Sequence, residues 1–344
     1  MRRMLCLAGG LLALALVGAC APSPALEALS GRTMGTTWSV KLLRPPGVAR
    51  AALQAGIQAE VDRVVAQMSH WQADSDLGRY NRAGAGRWQV LPEEFFTVLE
   101  HALALAADTG GAYDPTVGPL VNLWGFGPGS QGPRVPDPAA IEAARARVGW
   151  QRVELDAATR RVLQPGGVEL DLSAIAKGFG TDQIARYLDR QGVQAYLVDI
   201  SGELRARGRR PDGHDWQVAI ERPGAAAGPV AAADEVERVI ALREQSIATS
   251  GDYRHFLADG GRRYSHHIDP RTGWPVAQRI ASVTTVADDC MRADATGTAI
   301  MVLGPEQGLA WASERGLAVL LIVHEGDGLA ERMSPAFAAL LERR

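Results

Sequence analysis

Val168-Glu169-Leu170-Asp171-Leu172-Ser173-Ala174-Ile175-Ala176-Lys177-Gly178-Phe179-Gly180 changes period in its middle. Apolar residues alternate through Val168, Leu170 and Leu172, the spacing of a short strand. From Ser173 the pattern turns helical and runs to about Gly192. A strand therefore ends at a carboxylate, turns through small residues and opens a helix that carries one lysine. The start of a helix offers unpaired N–H groups and the positive end of its dipole, and both attract anions. Lys177 adds charge there, and Gly178 and Gly180 allow close approach. No Gly-x4-Gly-Lys-Ser/Thr is present, so this is not a Walker loop. A helix capped by Ser173 accounts for the same residues without a ligand.

Toward the N-terminus, Thr36 to Leu43 reads as a strand, and Ala49 to Met68 as a helix with Leu53, Ile57, Val61, Val64, Val65 and Met68 in one stripe. Ser69 to Gly86 reads as polar turn material. A second helix runs from Pro92 to about Asp108 and stops at Gly110-Gly111. Residues 127–138 form a Gly/Pro loop, 139–148 a short helix, and 152–155 with 161–163 a hairpin. Toward the C-terminus, strands are expected at 196–200, 203–207, 216–221, 236–242, 262–268, 279–287 and 317–323. Residues 223–235 read as an insertion, and helices at 291–303, 305–316 and 334–344 complete the pattern. Helices and strands mix without regular βαβ alternation, which predicts an α+β body of mixed, largely antiparallel sheets with flanking helices in one globular unit.

The chain has 344 residues with 36 Lys+Arg against 39 Asp+Glu, so 36 − 39 gives a net charge of −3. That balance argues against a nucleic-acid-binding basic face, and the length permits a large core without disulfide or metal staples. Arg2 and Arg3 precede an uncharged apolar run from Leu5 to Val17, too short to span a bilayer and suited to a signal peptide. It ends in Val17-Gly18-Ala19-Cys20, which resembles a bacterial lipoprotein box with Cys20 as the lipidated residue. The expected division is a signal peptide at 1–19, a lipidated linker at 20–29 and one domain at 30–344, tethered to a membrane in the cell envelope on the periplasmic side. Cys6 leaves with the signal and Cys20 carries lipid, so Cys290 has no partner for an internal disulfide.

Three more stretches carry chemistry. Asp294 and Thr298 lie four apart, on one face of the expected helix. A carboxylate and a hydroxyl make a hard oxygen pair suited to Mg²⁺. Plain dipole complementation by a first-turn aspartate accounts for Asp294 equally, and Asp288 and Asp289 compete for any metal role. His266 and His267 stand at the mouth of an Asp269-Pro270-x-x-Gly273 turn, and a histidine is the usual general base near neutral pH. Gly111-Ala112-Tyr113-Asp114-Pro115 offers Asp114 as cap of a helix whose first residue is Pro115. Tyr113 and Trp71 are candidates for stacking on a flat ring, or for core packing. A zinc site and a serine nucleophile elbow both lack their residue patterns.

Jointly these segments resemble the ApbE family, the FAD:protein FMN transferases. The likeness rests on Thr33-Met34-Gly35-Thr36-Thr37-Trp38, on Ser69-His70-Trp71 with Ser75-Asp76-Leu77-Gly78-Arg79-Tyr80-Asn81, and on Tyr113 through Phe126. It continues in Asp171–Gly180, Val198-Asp199-Ile200-Ser201-Gly202-Glu203, Ala248-Thr249-Ser250-Gly251-Asp252-Tyr253-Arg254, Ser265–Pro275 and Ala293-Asp294. The resemblance implies a cleft between subdomains in which FAD is split at its diphosphate. FMN is then esterified to a Thr or Ser of an exported acceptor protein, such as a redox-pump or reductase subunit, and AMP leaves. By position it implies FAD contacts at Met34, Trp71, Ala112, Tyr113, Asp114, Asp171, Lys177 and His267, the last through its backbone. It implies Mg²⁺ ligands at Ala174 (main-chain carbonyl), Asp294 and Thr298, with His266 as base. Hydrolysis of FAD to FMN and AMP, or flavin binding without catalysis, are the alternatives.

Overall fold

The computed structural model describes residues 25–128, 130, 132–224, 236–251, 256–277, 279–326 and 328–342. The signal peptide, Cys20, most of the 223–235 insertion and the Asp252-Tyr253-Arg254 end of one motif lie outside the described residues. The first half contains β1 (Leu26–Thr33), β2 (Thr36–Leu43), α1 (Arg50–Met68), α2 (Asp76–Arg82), β3 (Arg87–Val90) and α3 (Glu93–Asp108). It continues with α4 (Gly118–Trp124), α5 (Pro138–Arg145), β4 (Glu154–Asp156), β5 (Arg161–Gln164) and α6 (Ala176–Arg190). The second half contains β6 (Tyr196–Ile200), β7 (Glu203–Arg207), β8 (Trp216–Glu221), β9 (Val236–Leu242), β10 (Ser246–Gly251), β11 (Phe256–Asp259) and β12 (Arg262–Ser265). Then come β13 (Ile280–Ala287), α7 (Cys290–Leu303), α8 (Pro305–Glu314), β14 (Ala318–Glu325), β15 (Gly328–Met333) and α9 (Pro335–Leu341).

The α+β expectation holds. Eight strands form one sheet in the order β1-β2-β6-β7-β10-β13-β14-β15, and its neighbours pair antiparallel. On one face, Trp38, Val40 and Leu42 of β2 pack on Leu53, Ile57 and Val61 of α1 and Ile184 and Leu188 of α6. On the other, Ile247, Ala281 and Ile322 pack against Trp216, Val218 and Ile220 of β8 and Phe337 of α9. A separate core gathers Phe95 and Leu99 of α3 around Leu172, Ile175 and Phe179.

Helices α6 and α7 meet at their N-termini, and each caps the other. The Asp294 carboxylate of α7 accepts from the Gly178 N–H at 2.9 Å. The Asp182 carboxylate of α6 accepts from Cys290 N at 3.0 Å and Met291 N at 2.9 Å. Each helix supplies acceptors for the orphan donors of the other's first turn. The approach needs glycine, because a Cβ at Gly178 would lie 2.3 Å from the Cys290 carbonyl oxygen and 2.8 Å from Asp294 Cβ.

Several local expectations are corrected. Val168–Leu172 is extended but unpaired save for the isolated bridge Val117–Glu169. Its backbone is satisfied instead by the Asn81 side chain, which bonds both Leu170 N (2.7 Å) and Leu170 O (2.9 Å), and by Pro115 O, which accepts from Asp171 N. Ser173 is not an N-cap: residues 173–175 form a turn, Ile175 occupies the cap position, and the capping carboxylate comes from α7. Asp114 does not start a helix at Pro115. It bonds Thr116 N at 2.8 Å, and α4 begins only at Gly118. The polar stretch 69–86 holds α2, nucleated by Ser75 Oγ accepting from Gly78 N at 2.8 Å and too short to show an apolar period. Strand β1 starts at Leu26, so residues 26–29 of the expected linker pair with β2. Strand β12 ends at Ser265, short of His266.

Two outcomes test the α6–α7 contact. Gly178→Ala should lower stability by about 1–3 kcal/mol, read as a lower urea midpoint at unchanged slope, as for an overpacked contact. Burial raises the Asp182 carboxyl from 3.8 to about 6. A raised acid favours the folded state below its unfolded value and loses that advantage as pH rises through its folded value. Wild type should therefore lose roughly 2–3 kcal/mol relative to Asp182→Asn between pH 4 and 7. A flat difference in stability over that range would rule the titration out.

Candidate active site

The α6–α7 contact forms one wall of a cleft of about 1190 Å³. Ala174 in the turn before α6 and Lys177 in its first turn line it, with Asp294 and Thr298 one turn apart on α7. Two hairpin turns reach in from the sheet. Met34 and Gly35 join β1 to β2 with φ of 47° and 74°, and Ser201 and Gly202 join β6 to β7 with φ of 57° and 102°. Positive φ at both central positions suits a two-residue hairpin turn that follows the sheet's twist. Ala112, Tyr113 and Asp114 enter from the loop after α3, Asp171 from the extended strand substitute, and His266 and His267 from the loop after β12.

That last loop is held from two sides. Gly273, with φ of 76°, closes the Asp-Pro-x-x-Gly turn through its N–H to Asp269 O at 2.8 Å. Trp124 Nε1 of α4 donates to Gly273 O at 3.0 Å. His267 is buried, its Nδ1 is 3.3 Å from Ser265 Oγ, and its ring lies 4.0 Å from that of His266. Burial, then His266, pushes the His267 imidazole well below its usual value, so it is neutral at pH 7. The backbone contribution expected of His267 meets prior commitments. Its N–H donates to Ser265 Oγ at 3.1 Å, and its carbonyl accepts from Val276 N at 2.9 Å.

Carboxylates dominate the cleft. Burial raises Asp294, and the Lys177 ammonium and the Gly178 N–H pull it partly back. Burial likewise raises Glu203, which lies 2.5 Å from Lys177 Nζ. For Lys177, burial opposes the charge, but Glu203 and Asp294 outweigh it and the ammonium stays protonated. Burial also raises Asp114, whose oxygens are committed to Thr116 N, Thr116 Oγ1 and Trp150 N. Asp171 Oδ1 accepts from Ser173 N at 2.8 Å and lies 3.4 Å from His70 Nδ1. Tyr113 Oη and Glu203 Oε2 are buried without hydrogen-bond partners. The Tyr113 hydroxyl, an orphan in the wall of the cleft, fits a group completed by a ligand.

The residues also fit a hard cation. One carboxylate, one hydroxyl and one carbonyl from Asp294, Thr298 and Ala174 share the cleft, and the carboxyl is pushed toward its neutral form, a strain that positive charge would relieve. Among the described residues no group of three or more His, Cys, Asp or Glu is arranged for a metal. A set with a single carboxylate lies outside that pattern and leaves positions for water and phosphate oxygens.

Eleven of the twelve expected FAD, Mg²⁺ and base positions line this cleft; the exception is Trp71. It is 63% exposed beside His70, outside the wall that Asp171 forms. The turn at 69–75 is closed by Ser75 Oγ on Ser69 O and by Trp71 N on Ser69 Oγ, which leaves the indole outside the cleft. Glu203 and Asp199 line the cleft with no role read from the sequence. The Ser201-Gly202 pair between two alternating strands was the available signal, since it places its flanking residues at the end of the sheet.

The ApbE family model matches residues 34–321. The FAD:protein FMN transferase of Vibrio cholerae is 40% identical over 316 residues, covering 92% of each chain. That of Escherichia coli K12 is 37% identical, covering 91% of this chain and 88% of the relative. The apo flavinyl transferase ApbE of Pseudomonas stutzeri superposes with a TM-score of 0.84 at 39% identity, covering 92% of this chain and 96% of the other. The matched residues hold the sheet from β2 into β14, both capped helices and the histidine loop, and the relatives cover nine-tenths of the chain: the chain belongs to the ApbE family.

Proposed function

We propose that this protein transfers FMN from FAD to a threonine or serine hydroxyl of an acceptor protein, with release of AMP. The convergence of Ala174, Lys177, His266, Asp294 and Thr298 on one cleft carries the reading, together with relatives named for that reaction. The acceptor oxygen attacks the phosphorus of the FMN half. The bond to the bridging oxygen breaks, and AMP departs with the electron pair. Lys177 supplies positive charge toward the diphosphate, and the unpaired hydroxyl of Tyr113 offers a hydrogen bond to the ligand. His266 takes the proton of the attacking hydroxyl. Ala174, Asp294 and Thr298 would hold Mg²⁺, which when bound offsets the negative charge of the diphosphate.

The lipobox ending in Cys20 supports a lipid-anchored protein of the cell envelope, facing an exported acceptor. No described helix is long and apolar enough to cross a membrane.

Mature protein, FAD, Mg²⁺ and a threonine-bearing acceptor should give a fluorescent acceptor band that survives denaturation. AMP release without any acceptor would indicate hydrolysis instead, and FAD binding without AMP a passive carrier. Asp294→Ala, or chelation of Mg²⁺, should lower turnover by about 10²-fold or more. A rate indifferent to both would remove the metal assignment. His266→Ala should slow transfer by about 10²–10⁴-fold with FAD still bound. Normal transfer by that variant would move the base elsewhere.

A further inference from the structure

Glu203 opens β7 directly after the Ser201-Gly202 turn, and its side chain is only 4% exposed. Its Oε1 lies 2.5 Å from Lys177 Nζ, whereas its Oε2 is buried without a partner. Thr181 Oγ1 bonds the carbonyls of both Glu203 and Lys177 at 3.1 Å, so the start of β7 is pinned to the first turns of α6. A buried carboxylate with one oxygen unsatisfied is a poor device for stability, because a single ion pair does not offset its desolvation. Lys177, by contrast, keeps 34% of its side chain exposed and lines the cleft. An ammonium on a flexible four-carbon stem needs an anchor to hold one position.

We propose that Glu203 is a positioning residue: it fixes the Lys177 ammonium against the diphosphate of bound FAD and acts through the lysine, not through the ligand. This rests on the reading of Lys177 as an FAD contact. The arrangement gives this buried carboxylate a use, and a hairpin turn and a threonine bridge set its position against Lys177.

A double-mutant cycle on FAD affinity tests it, using the mature protein with Mg²⁺ and FAD anisotropy as the probe. Lys177→Met should weaken FAD binding by about tenfold or more, and Glu203→Gln by about five- to tenfold with the thermal midpoint unchanged or raised. In the Lys177→Met background, Glu203→Gln should change the Kd by less than about twofold. Equal weakening in both backgrounds would show that Glu203 acts without the lysine and overturn the proposal. So would a lowered thermal midpoint with FAD affinity intact. An unchanged Kd for Lys177→Met alone would remove the lysine contact and the proposal with it. Flavin transfer by that variant would then show whether the transferase reading survives.

Discussion

The reciprocal capping of α6 and α7 is the constraint on which the cleft depends. Two helix N-termini brought together set like dipole ends against each other, an arrangement that is unfavourable unless negative charge lies between them. Asp182 and Asp294 provide that charge, Asp294 from the second turn of α7 and Asp182 from deeper in α6. The absence of a side chain at Gly178 brings the backbones close enough for both bonds to form. The start of α6 lines the cleft through Ala174 and Lys177, and Asp294 belongs at once to the cap and to the cleft wall.

The rest of the cleft elaborates this electrostatic frame. Asp294, Glu203 and Asp114 are all raised by burial, so the cleft disfavours their negative charge unless cations or hydrogen-bond donors accompany it. Lys177 compensates part of it. Ligands that bring cations or hydrogen-bond donors offset that cost. Stability and function therefore pull in opposite directions here, as expected where strain is concentrated at a working site.

The sequence made the long periodic elements legible. The period predicts Thr36–Leu43, β6, β7 and β8 to the residue and α1 and α3 to within one. In each, burial of one face imposes a visible period. Two differences from the expected pattern share a cause. The backbone of 168–172 is satisfied by Asn81, a side chain far away in sequence, and the start of α6 by Asp294, farther still. Local patterning cannot express a cap supplied by another helix, so Ser173 was the nearest local candidate. The site residues were legible chiefly through the family resemblance. The i, i+4 placement of Asp294 and Thr298 was readable from spacing alone, and both face the cleft. Trp71 was placed by analogy of position, and the turn that directs its indole outward has no periodic signature.

Cys290 acquires its chemical character from the same helix pair. As the first residue of α7 it gives its N–H to Asp182, its carbonyl lies against Gly178, and its side chain is fully buried. Burial and the neighbouring Asp182, Glu203 and Asp294 carboxylates hold the thiol well above its usual value, so thiolate is scarce. A solitary sulfur would ordinarily invite mixed disulfides wherever oxidants are abundant. Here its reactivity is tied to separation of the two helices, so alkylation at Cys290 would keep time with the parting of α6 from α7.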